Sequence, residues 1–122
     1  MKLVMEPGVP REVAKAARAL IQRHKRLLPS WCRELTIAWD SESDGYAYVS
    51  WQYEYRRAHI TLCPAWLERD EAGREAAIVH EIFHICLAPM ENLTIKLVNL
   101  VGEHSEMIGK WGSEDFRIAM ES

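Results

Sequence analysis

The stretch that most constrains this chain is His80-Glu81-Ile82-Phe83-His84, set between the apolar runs Ala76-Ala77-Ile78-Val79 and Ile85-Cys86-Leu87-Ala88. An α-helix advances about 3.6 residues per turn, so side chains four apart lie on one face, and His80 and His84 can offer two imidazole nitrogens to one metal ion. Glu81 lies about 100° round the helix from His80, beside the position such a metal leaves open, where a carboxylate can accept a proton without ligating. Zn²⁺ is the metal this chemistry points to: it lowers the pKa of a bound water to about 7, and the carboxylate completes the deprotonation. A pair of hydrogen-bonded core histidines is the structural alternative. Three polar side chains grouped among Ile, Val, Phe, Cys and Leu each need a partner in a low-dielectric setting, and a metal supplies one.

At 122 residues the chain has length for one hydrophobic core and too little for two. With 48% hydrophobic and 27% charged residues it reads as a soluble globular domain, and no apolar run approaches the length of about 20 that crosses a bilayer. The opening Met1-Lys2-Leu3-Val4-Met5-Glu6-Pro7 breaks off before a signal-peptide core, so cytoplasmic residence is the expectation. The net charge of −3 and the absence of an extended Lys/Arg block argue against nucleic acid as a partner. The basic cluster Arg23-His24-Lys25-Arg26 reads as the solvated face of a helix. Cys32, Cys63 and Cys86 are odd in number and sit among apolar residues, which points to small core residues rather than a disulfide framework.

A first helix is expected from about Pro10 to Leu28, with Pro10 at its first position and Val13, Ala16, Ala17, Leu20, Ile21, Leu27 and Leu28 in its apolar stripe. Three strands follow: Leu35 to Trp39, Tyr46 to Tyr55, and His59 to Cys63, the last ended by Pro64 in a manner that suits a sheet edge. Stacking of bases on the aromatic second strand is disfavoured for want of a basic surface. Asp70 is a plausible N-cap for the helix that carries the histidines, which should be central and buried and end at Ala88-Pro89. A last helix capped by Asn92 should present Leu93, Leu97, Leu100, Val101, His104, Ile108 and Trp111 on one face.

A catalytic zinc needs a third protein ligand, and the last helix offers Glu103, His104 and Glu106. On a helical wheel centred on Leu97, Leu100, His104 and Trp111, Glu103 flanks the apolar stripe, Glu106 lies on the far side and His104 is central, the usual place of a packed core histidine.

These residues resemble a family. His80-Glu81-Ile82-Phe83-His84, followed after eighteen intervening residues by Glu103, looks like the gluzincin metallopeptidases, whose third zinc ligand is a glutamate on the helix after the motif. The preceding helix and three short strands look like the upper subdomain of the zincin fold, and the chain is similar in size to the minigluzincins and the smallest metallopeptidase-like proteins of bacteria and phages. The resemblance implies zinc on His80, His84 and Glu103, with Glu81 as general base and then proton donor. Gly102 precedes Glu103 where many gluzincins have asparagine, which keeps Glu106 open as the ligand. The short-spaced third histidine of metzincins is absent, and nothing resembles the lower domain of larger gluzincins.

The expectation is therefore one α+β, zincin-like domain over residues 1–122, with an N-terminal helix, a small three-stranded sheet, the histidine helix and a following helix carrying the third ligand. Its expected function is zinc-dependent hydrolysis of peptide bonds in a peptide or protein substrate, which would add as a strand beside His59 to Cys63. No membrane partner is expected. The other class of function is a zinc-binding regulatory or interaction domain with little or partner-dependent proteolysis, and a metal-free structural domain is a third.

Overall fold

The computed structural model describes the backbone of residues 1–104 and the side chains of residues 1–102. The chain forms two compact units, Met1–Cys86 and Leu87–Ser122.

The first unit is built on four strands, β1 (Lys2–Met5), β2 (Glu34–Trp39), β3 (Ala47–Gln52) and β4 (Arg57–Leu62), in the spatial order β1-β2-β4-β3. β1, β2 and β4 run parallel, and β3 is antiparallel to β4. A parallel pair needs a crossover connection, and α1 (Arg11–Arg23) supplies it between β1 and β2. Two further helices follow the sheet, α2 (Pro64–Glu68) and α3 (Glu71–His104).

Alternation along the strands decides which face is covered. Leu35 and Ile37 of β2 and Ala58, Ile60 and Leu62 of β4 are fully buried, and register sets Ala47, Val49 and Trp51 of β3 beside Leu62, Ile60 and Ala58 on the same face. Against this face pack Val13, Ala17, Leu20 and Ile21 of α1, Trp66 of α2, and Ile78, Ile82 and Ile85 of α3. The opposite face carries Tyr48, Ser50 and Gln52 of β3, all exposed.

Several expectations need correction. The zincin-like fold is not shown: the sheet has four strands, not three, and no group of three or more metal-donor side chains forms among the described residues. The missing strand, β1, lies at the chain start, where its four residues pair with β2. Among the described residues no separate helix follows the histidine helix, because α3 continues through Pro89 to His104. Proline removes one N–H, so the Ile85 carbonyl loses its helical partner, while the ladder resumes beyond it; Thr94 adds a side-chain bond to the Met90 carbonyl at 2.9 Å. β4 is not an edge, since it lies between β2 and β3. α1 stops at Arg23, five residues short of Leu28, with a 3₁₀ turn at Lys25–Leu27, and Pro10 is its N-cap. In the second unit Leu93, Leu97 and Leu100, expected on one face of a separate last helix, lie on α3 and are 59%, 53% and 54% exposed.

By length and hydropathy alone Glu71–Gly102 would suffice to cross a bilayer, which the expectation of no such run overlooked. In the first unit its Ile78, Ile82 and Ile85 are buried in a protein core shared with the sheet. The three cysteines are free; Cys32 and Cys63 are buried, and Cys86 is half-buried with its thiol donating to the Leu27 carbonyl at 3.1 Å.

Candidate metal centre

The start of α3 is fixed by side chains that the sequence places before the histidines. Asp70 caps it as expected, its Oδ1 accepting the Gly73 N–H at 2.8 Å. Gly73 has a reason to be glycine: a Cβ there would stand 2.9 Å from that same Asp70 oxygen and 2.7 Å from Arg69 Nε. Trp66, fully buried, donates its indole N–H to the Arg74 carbonyl at 3.1 Å, and the Arg74 guanidinium donates to the Leu67 carbonyl, so α2 and the first turn of α3 are tied twice. Glu75 accepts from Arg23 at the end of α1, and that guanidinium holds its carboxyl below the usual range.

From this anchored start the helix turns two faces in opposite directions. Ile78, Ile82 and Ile85 enter the core, whereas His80 is exposed and His84 half-buried. The helix was expected to be apolar and covered nearly all round; instead it is amphipathic here, with Phe83 54% exposed. The sequence-predicted pair comes together: His80 Nε2 and His84 Nε2 are 3.2 Å apart, with the rings inclined at 75°. Two Zn–N bonds of about 2.05 Å that end on nitrogens 3.2 Å apart subtend about 103° at the metal, close to a tetrahedral angle. The donor separation is compatible with one zinc ion and equally with an imidazole–imidazole hydrogen bond.

Glu81 sits between the two faces and is only 7% exposed. Burial pushes its carboxyl above the ordinary glutamate value, against the smaller opposing pull of His80 and His84. A desolvated carboxylate holds a proton more tightly than an exposed one, and the two imidazoles beside it pull the other way.

A cavity of about 360 Å³ opens beside this group, lined by His80, Glu81 and Ala77 of α3, Arg69 before it, and Tyr46 and Ala47 at the start of β3. The Arg69 guanidinium lies 4.7 Å above the Tyr46 ring. Sequence reading missed Arg69 and Tyr46, because neither belongs to a motif and they meet only through the placement of β3. Of the third-ligand candidates, Glu103 and His104 fall on the last turn of α3, in the second unit, with side chains outside those described, and Glu106 lies outside the described residues. Among the described residues the donor set is the two histidines, with Glu81 adjacent.

No family model matches the chain, and neither a curated protein nor a solved structure matches it significantly.

Proposed function

We propose that this protein is a zinc-dependent hydrolase of peptide bonds, with His80 and His84 as zinc ligands and Glu81 as general base. The observation that carries the reading is the 3.2 Å separation of the two Nε2 atoms on one helix face, with a buried carboxylate one residue on. When bound, zinc supplies the Lewis acidity that polarises the scissile carbonyl and acidifies water. Glu81 takes a proton from the attacking water, and its raised pKa lets it hold that proton and then pass it to the leaving amine. The buried setting keeps the carboxylate poorly hydrated, so less water reorganisation opposes each transfer.

Substrate binding moves from β4 to β3. β3 is the outermost strand on its side of the sheet, and its first residue, Ala47, lines the cavity beside Glu81. An extended peptide pairing with this edge would bring its backbone past the catalytic group with little dependence on side chains.

The test is hydrolysis of an unfolded protein substrate by zinc-loaded enzyme and by Glu81→Gln. The amide keeps the shape and cannot accept the proton, so the variant should keep zinc and lose turnover by at least about 100-fold. Equal hydrolysis by both proteins would remove Glu81 from the mechanism.

A further inference from the structure

A second cavity, of about 640 Å³, lies at the other end of α1 from its N-cap and shares no residue with the first. It is an open depression lined by the exposed Lys2 of β1, Lys25 of the 3₁₀ turn after α1, Ser30 and Arg33 just before β2, with Leu28 and Pro29 as an apolar flank. No acidic side chain lines it. Among the described residues none of the three cations forms an ion pair. The nearest candidate acid by register is Glu34, opposite Lys2, and its carboxylate is paired with Arg57 at 3.4 Å. In a chain of net charge −3, with 18 acidic residues to distribute, three uncompensated cations around one concavity raise mutual repulsion without a structural return.

The backbone under these side chains is held in place. Lys2 N–H donates to the Arg33 carbonyl at 2.7 Å, Arg33 N–H to the Arg56 carbonyl at 2.9 Å, and Cys32 N–H to the Pro29 carbonyl at 3.1 Å. Arg56 itself adopts a left-handed conformation, φ 56°, to close the turn that receives the Arg33 bond. The basic cluster around residue 25 is thus divided in its duties: Arg23 pairs with Glu75, whereas Lys25 joins the cavity.

We propose that this cavity binds a small phosphate-bearing anion. A tetrahedral phosphate offers oxygens in several directions at once, which matches donors arriving from three separate elements, with arginine as a forked donor and the lysines as point charges. The volume falls in the range of small-molecule sites, and the Leu28-Pro29 flank suits a short aliphatic or sugar portion of the same ligand. No aromatic ring lines the wall, so a nucleobase would find no stacking partner.

The experiment is calorimetric titration of metal-free full-length protein with inorganic pyrophosphate at low ionic strength, run with chelator so that no metal contributes to the signal. The wild type should bind one pyrophosphate per chain, and Lys25→Gln/Arg33→Gln should bind at least about tenfold more weakly while unfolding in urea at the same concentration as the wild type. Lys15→Gln/Arg18→Gln, which removes two exposed α1 cations outside the cavity, should bind as the wild type does apart from a small shift shared with added salt. Absence of binding at millimolar pyrophosphate, or equal weakening in the two double variants, would overturn the assignment.

Discussion

Replacement of Ile82 by alanine tests the helix orientation on which the candidate centre depends. Ile82 lies between the two histidines in sequence and is fully buried, packed in the cluster formed by the sheet, α1 and Ile78 and Ile85. The change removes three carbons; at about 0.8 kcal/mol for each buried methylene-sized group the transfer loss is about 2.4 kcal/mol. The unfilled space adds to this, and alanine returns about 0.4 kcal/mol through its better helix propensity. The net expectation is about 3 kcal/mol. Urea unfolding of metal-free protein reads it as a lower midpoint with an unchanged slope. Phe83→Ala is the matched comparison, because Phe83 is larger but 54% exposed, and its loss should cost under about 1 kcal/mol. If Phe83→Ala costs as much as Ile82→Ala, the face assigned to the core is wrong, and His80 and His84 do not point where the zinc reading needs them.

Two other outcomes follow from the same geometry. Because burial raises the folded-state pKa of Glu81, the folded protein binds that proton more tightly than the unfolded chain; its contribution to stability is full below the ordinary glutamate value of about 4.3 and is lost as pH rises through the folded pKa. Metal-free Glu81→Gln should therefore be more stable than the wild type at pH 7.5 and lose that advantage by pH 4, as read by urea midpoints at both; a pH-independent difference would refute the desolvation account. For the third ligand, Glu103 stands nineteen residues beyond His84 on the one helix α3, about 28 Å of helix at about 1.5 Å per residue, which overturns the expectation that it shares their ion; Glu103→Ala should therefore release zinc in chelator competition as the wild type does, and far readier release would refute the continuous helix.

What the sequence disclosed was local. The i,i+4 histidines and the Asp70 cap are properties of one helix, and both are present, whereas the confinement of its core contacts to Ile78, Ile82 and Ile85 was not read from a segment that looked apolar nearly all round. The strand segments of β2, β3 and β4 were likewise visible in their alternation. Pairing order was not, because β4 enters between β2 and β3 and neither periodicity nor turn residues record that insertion. The same long-range step sets Tyr46 and Arg69 beside Glu81. β1 has only four residues and pairs with a strand some thirty positions away, so its own composition carries little signal. Pro89 misled for a physical reason: the loss of one N–H is a strong local argument for a stop, yet one missing bond does not end a helix whose remaining ladder is intact.

The most direct test of the central claim is metal content after equilibrium dialysis against zinc, followed by elemental analysis per mole of chain. The wild type should retain close to one zinc, and His80→Ala and His84→Ala should each lose it, while both variants keep the urea midpoint of the metal-free wild type. Full zinc retention in either histidine variant, or no zinc in the wild type, would contradict the metal centre.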